Sequence, residues 1–135
     1  MTTETTRDVV AAYVVALGRG DLDVLHASFA SKATWTLRGN LPIAGTWTGA
    51  DEILDGFLAQ LVATLDPQVA VTQTLHRIIA DGEFAVAEWT SHARARDGKP
   101  YENDYAVVFQ VRDGLIISVR EYCDTSYMKR VLFEQ

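Results

Sequence analysis

A chain of 135 residues can bury an ordinary core as one domain, residues 1–135, without disulfide or metal staples. Its composition, 48% hydrophobic and 22% charged, is that of a soluble globular protein, and a formal charge of −6 argues against a general affinity for nucleic acid or anionic membrane. The single cysteine, Cys123, excludes an internal disulfide, and with three scattered histidines it makes no zinc-ligand spacing, so no metal or cofactor is expected.

The first residues, Met1 to Arg7, lack the basic end and apolar stretch of a secretory signal. No apolar run approaches the ~20 residues of a membrane span, and a cytoplasmic location is the expectation. Val9, Val10, Tyr13, Val14 and Leu17 recur at helical spacing, with Thr5 or Thr6 as the cap and Gly18 and Gly20 as the stop. Asp21 caps a short second helix running through Leu25 to Phe29. Ala33 to Leu37 reads as a short strand that places Trp35 and Leu37 on one face. Gly39 to Gly49 reads as a loop, and its Trp47 is either a lid over an open end or a subunit contact. A third helix, from about Asp51 to Leu65, carries a broad stripe of Ile53, Leu54, Phe57, Leu58, Leu61 and Leu65 that needs a sheet to cover it. Pro67 closes that helix.

Three x-Asp-Gly triplets then stand at equal intervals, at Asp81-Gly82, Asp97-Gly98 and Asp113-Gly114. Each separates runs rich in Val, Ile and aromatic residues, the pattern of a three-residue hairpin loop with glycine in the left-handed position. The predicted result is a four-stranded antiparallel meander over about 68–79, 83–95, 100–111 and 115–123, followed by a terminal helical turn capped by Asp124 or Thr125. Helices first and a meander after give an α+β layout.

Counting outward from such loops sets Ile79 against Glu83, Ala95 against Lys99 and Val111 against Leu115. One rung then contains Gln73, Trp89, Tyr105 and Glu121, and the next Val71, Ser91, Asn103 and Cys123. Leu75, Ala87, Val107 and Val119 lie on the other side of the first rung. One face of the sheet is therefore apolar, with Phe109 and Ile117 in it, and its polar residues gather at one end. The opposite face carries His76, Glu88, Thr90, His92, Asp104 and Arg120 and reads as solvated or subunit-facing. Arg77 falls in the interior set, which points to a bulge in the first meander strand.

In element order and in several stretches the chain resembles the SnoaL-like family of the nuclear transport factor 2-like superfamily. Those stretches are Val9 to Leu22, Ala33 to Leu37, Thr48 to Ile53, His76 to Gly82, Asn103-Asp104-Tyr105 and Val119 to Thr125. The resemblance implies a cone-shaped, cystatin-like fold: a curved antiparallel sheet, the meander plus the short first strand, wrapped on the N-terminal helices. Relatives include ketosteroid isomerases, limonene epoxide hydrolase, polyketide cyclases and non-catalytic scaffold domains, so the fold alone assigns no reaction. The two acids of the isomerases fall at Leu37 and near Val107, and Tyr13 lies near their oxyanion-hole tyrosine. Glu121 matches the last acid of the epoxide hydrolase, whose other two central positions fall near Trp89 and Ser91.

Glu121 is the leading catalytic candidate, because a carboxyl on an apolar face must be hydrogen-bonded, ion-paired or neutral. Tyr105 beside it and Asn103 diagonally are expected to hold it or to orient a ligand oxygen. Tyr13, Trp35, Leu37, Phe57, Trp89, Val107, Phe109 and Val119 are the expected walls of an apolar pocket. The reading is a cofactor-independent isomerase, cyclase or hydrolase acting on a small hydrophobic oxygenated ligand. The alternative is a non-catalytic ligand-binding or dimerisation domain, with Glu121 bridged to Arg38 or Arg120. A homodimer through the outer sheet face is expected, with neither nucleic acid nor membrane as a partner.

Overall fold

A computed structural model describes residues 2–135. Helix α1, Thr3–Arg19, begins one turn before the position its apolar spacing predicts. Thr2, not Thr5 or Thr6, is the cap, accepting the Thr5 N–H at 3.0 Å. Thr6 is buried and serves another contact: its hydroxyl donates to the Gly82 carbonyl at 2.6 Å, while the Gly82 N–H donates to Thr3 Oγ1 at 2.9 Å. The first helical turn is thereby tied to the first hairpin turn. Gly20, left-handed at φ 66°, ends α1. Asp21 caps α2, Leu22–Ala27, as expected, through the Val24 N–H.

Strand β1, Phe29–Leu37, is longer than its apolar core suggested, and the segment read as a loop contains a second strand, β2, Gly45–Thr48. The two pair antiparallel with Trp35 opposite Trp47. The third helix is wound in two styles, a π-helix over Glu52–Leu58 continuing into α3, Ala59–Val62. The meander is β3, Thr72–Asp81; β4, Phe84–Arg94; β5, Pro100–Arg112; and β6, Leu115–Cys123. Asp124 caps α4, Thr125–Met128, which runs into a short π-helix, Lys129–Phe133. The result is one curved six-stranded sheet in the order β2-β1-β6-β5-β4-β3, with the helices on its concave face. Every neighbouring pair is antiparallel except β1 and β6, which run parallel, a pairing made possible by the long connection through β2, the third helix and the first three strands of the meander.

The three Asp-Gly turns are not alike. Arg96-Asp97-Gly98 is the predicted three-residue loop, with the Ala95 N–H donating to the Lys99 carbonyl at 2.8 Å. The β4–β5 register is accordingly the predicted one: Trp89 opposes Tyr105, Ser91 opposes Asn103 and Ala87 opposes Val107. At the third turn Asp113 and Gly114 both take positive φ, 54° and 79°, so a two-residue loop pairs Arg112 with Leu115. A register shift between Gln110 and Val111 adds to this, and Glu121 ends opposite Val107, not Tyr105, while Cys123 opposes Tyr105. In β3 the bulge suggested by Arg77 is present between Leu75 and Arg77. It turns Arg77 outward onto Glu88 and sets Gln73 opposite Ser91, not Trp89. Beyond the bulges both displacements amount to two residues, so Gln73 and Glu121 keep their face although rungs change. Between bulge and turn the parity flips, which sets Arg77 and Ile79 outward and makes Ile116, not Ile117, the inward residue.

Candidate active site

Between the concave face and the helices lies a cavity of about 620 Å³. Alternation along the strands brings Trp35 from β1, Trp89 from β4, Tyr105 from β5 and Glu121 from β6 to its wall. Tyr13 of α1, Phe57 of the π-helix and Tyr101 of β5 complete the aromatic lining, with Trp35 and Phe57 at a centroid distance of 5.7 Å. Exposed Arg19 and Asp55 sit at its edge.

Glu121 is 6% exposed and has no cationic partner among the described residues; neither Arg38 nor Arg120 bridges to it. The Trp35 indole donates to its Oε1 at 3.1 Å, and Cys123 Sγ lies 4.0 Å from its Oε2. Burial pushes the carboxyl up to about 7, with the indole hydrogen bond pulling weakly the other way. A carboxyl poised near neutrality in an apolar wall can both take and return a proton.

Tyr105 and Asn103 do not hold Glu121, because the two-residue displacement of β6 moves it past them. Tyr105 shares a hydrogen bond with Tyr101, their phenol oxygens 2.8 Å apart. Asn103 Nδ2 donates to Tyr101 Oη at 2.8 Å and to the Asp124 carbonyl at 3.1 Å. Since Tyr101 Oη accepts from the amide, its own hydrogen is available to Tyr105, whose hydroxyl can then point into the cavity. Burial, with smaller contributions from Tyr101 and the Glu121 charge, keeps the Tyr105 phenol well above its usual range and hence protonated. Tyr101 was not singled out from the sequence, although it stands on the same alternating face as Asn103 and Tyr105, opposite Ala93.

Six of the sequence candidates, Tyr13, Trp35, Phe57, Trp89, Tyr105 and Glu121, meet at the cavity. Asn103 lies behind the wall and acts only through Tyr101. Leu37, Val107, Phe109 and Val119 are on the inner face as predicted but do not reach the cavity; they are fully buried where the cone is filled. Phe109, for example, is sealed edge-on by Tyr13 at 5.6 Å and Trp35 at 6.4 Å. Trp47 does not border the cavity and so is no lid over it: it packs in β2 against Phe57, its indole donating to the Ile43 carbonyl at 3.0 Å. Among the described residues no three of His, Cys, Asp and Glu gather as metal ligands would. No helix there is long and apolar enough to cross a membrane.

A concave sheet closed by helices over an aromatic cavity defines the nuclear transport factor 2-like class. The chain belongs to the SnoaL-like domain family, which matches residues 10–119. Among solved structures, a nuclear transport factor 2-like protein from Burkholderia xenovorans is 27% identical, with a TM-score of 0.80 over 98% of each chain. A Catenulispora acidiphila protein with a ketosteroid isomerase-like fold, solved with trimethylamine, is 21% identical, with a TM-score of 0.76 over 98% of this chain and 95% of its own. TerC, co-crystallised with polyporic acid, is 17% identical, with a TM-score of 0.83 over 96% of this chain and 98% of its own. The last two likenesses show the fold alone. No curated protein matches the chain.

Proposed function

We propose that the chain is a cofactor-independent isomerase or cyclase that moves a proton on a hydrophobic oxygenated compound held in this cavity. The observation that carries the reading is Glu121: a buried carboxyl without a cation, facing an apolar space of about 620 Å³. Ionised, it takes a proton from a carbon next to a carbonyl. The C–H electron pair moves into the new C=C bond as the carbonyl oxygen gains charge, and the Tyr105 hydroxyl donates to that oxygen. Isomerisation is completed when Glu121 returns the proton to a different carbon, and ring closure when the enolate carbon attacks a second carbonyl, whose oxygen takes the π electron pair and then the proton that Glu121 holds. Asn103 and Tyr101 are positioning residues that aim the Tyr105 hydrogen. Water addition of the epoxide hydrolase kind draws on a second acid, and the other acid at the cavity, Asp55, is exposed. The co-crystal of TerC with polyporic acid supports a small organic occupant.

The test is deuterium uptake from D2O at the α-carbon of β-tetralone, an apolar ketone, followed by NMR. Wild type is expected to accelerate exchange over buffer, Glu121→Gln to lose about 10²-fold or more of that acceleration, and Tyr105→Phe about 10²-fold. Exchange at the buffer rate, or an acceleration untouched by Glu121→Gln, refutes the proton-transfer role.

A homodimer through the outer sheet face is part of the same proposal. Half-buried Val86, Ala106 and Val108 form an apolar strip there, flanked by exposed Ile79, Phe84 and Tyr122.

A further inference from the structure

We infer that the cavity holds a second polar subsite, the side-chain amide of Gln73, and that the ligand is an extended apolar molecule with a hydrogen-bond acceptor at the end opposite the oxygen held by Tyr105. The inference rests on the proton-transfer reading above and names the ligand class for that same site. It starts from Trp89, whose indole nitrogen can only donate and gives its hydrogen to Ser91 Oγ at 3.2 Å. Buried Ser91 passes its own proton to Gln73 Oε1. The amide oxygen is thereby occupied, and the amide nitrogen keeps both hydrogens without a partner among the described residues. Among the described residues no sealed side-chain polar atom lacks a partner, so this nitrogen is accessible, on a half-buried residue that borders the cavity. Ser91 alone would satisfy the Trp89 indole, so the relay does more than settle a buried donor: it leaves an NH2 group uncommitted on a residue at the ligand space.

The placement sets the span. Gln73 pairs with Ser91, and Ser91 with Asn103, two residues along β5 from Tyr105. Two strand spacings and two residue steps put Gln73 and Tyr105 about 12 Å apart at the backbone. Between them stands the Trp89 indole, stacked on Tyr105 at 5.7 Å and 17°. A flat apolar body on that shelf, with oxygen at both ends, satisfies both donors at once. A biaryl or fused-ring compound of two to three rings has this shape, whereas a ligand with one oxygen leaves the amide facing hydrocarbon.

The experiment compares para-phenylphenol, with one oxygen, and its para′-acetyl derivative, which adds a carbonyl at the far end. Each is titrated by tryptophan fluorescence, with calorimetry as a check, against wild type, Gln73→Glu and Gln73→Met. Wild type is expected to bind the acetyl compound about tenfold more tightly, the effect of one hydrogen bond in a buried site. Gln73→Glu keeps an acceptor for Ser91 but removes the donor, and the ratio of the two affinities is expected to fall to about one or below. Gln73→Met, which removes both functions at similar volume, is expected to lose the ratio as well. A ratio near one in wild type, or a tenfold ratio surviving in both variants, overturns the subsite and leaves the proton-transfer reading standing. Failure of wild type to bind either compound overturns the ligand cavity itself, and the subsite with it.

Discussion

Glu121 combines three properties that seldom coincide in a carboxylic acid: burial, no donor beyond one indole and a long thiol contact, and no opposing charge among the described residues. Its folded-state value of about 7, against an ordinary 4.5, has a consequence for stability whose sign is fixed. Between those two pH values the folded chain retains a proton that the unfolded chain has released. Its contribution to stability is therefore fully present below pH 4.5, declines as pH rises, and levels off above about pH 7, by about 3 kcal/mol in all. Glu121→Gln removes the titration while keeping shape. Urea unfolding from pH 4 to 8 is expected to show wild type losing stability relative to the variant across this window. A constant difference would mean that the carboxyl titrates like an exposed one. The same titration governs chemistry in the opposite direction, since the ionised form is the base, so exchange of the ketone probe is expected to rise with pH through the same range.

Elements carry their own lesson in the π-helix over Glu52–Leu58. Its apolar stripe was legible from spacing, and Ile53, Leu54 and Phe57 are buried as that stripe requires. The wider winding was not legible, because i-to-i+5 hydrogen bonds leave no periodicity that a seven-residue stretch can display. Gly56 marks where this helix meets β2: a Cβ there would stand 2.9 Å from Trp47 Cζ3 and 3.2 Å from Cε3. Alanine would gain up to about 1 kcal/mol of helix propensity. The indole, however, is held by the Ile43 carbonyl and by Phe57, and displacing a packed ring costs about 1–3 kcal/mol. Gly56→Ala is accordingly expected to destabilise by about 1–2 kcal/mol in urea unfolding; a more stable variant would show that Trp47 is free to move. The hairpins teach the same point from the other side. Three turns of one sequence type gave one predicted loop and two shorter ones, and the first and last pairings of the meander take up bulges that its middle pairing, β4 with β5, does not.

At the scale of the whole molecule, the sheet has one face closed by helices and one left open. The open face presents Val86, Ala106 and Val108 in the middle strands, with Ile79 61% exposed at its edge. A second copy stacking there would bury this strip while leaving both cavities accessible on the concave side. Light scattering at micromolar concentration is expected to return twice the 14.9 kDa chain mass. Val108→Glu, which sets a carboxylate in the centre of the strip, is expected to shift the mass to that of one chain without loss of folded signal. A monomeric wild type would remove the dimer from the proposal and leave the cavity unaffected.

Alternation by itself picked out Glu121, Tyr105, Trp89 and Trp35 for the interior. It did so because a displacement of two residues preserves the face. The helix caps at Asp21 and Asp124, and the α+β order, are likewise local matters that neighbouring residues decide. Pairing across strands is not local. The shorter third turn and the register shift beside it chose Val107 as the partner of Glu121, and the parallel docking of β1 on β6 brought the Trp35 indole to its carboxyl. Whether an inward residue lines empty space or fills it depends on what the helices press against it. That is why Phe109 is core, Tyr101 belongs to the site, and only the assembled cone separates the two.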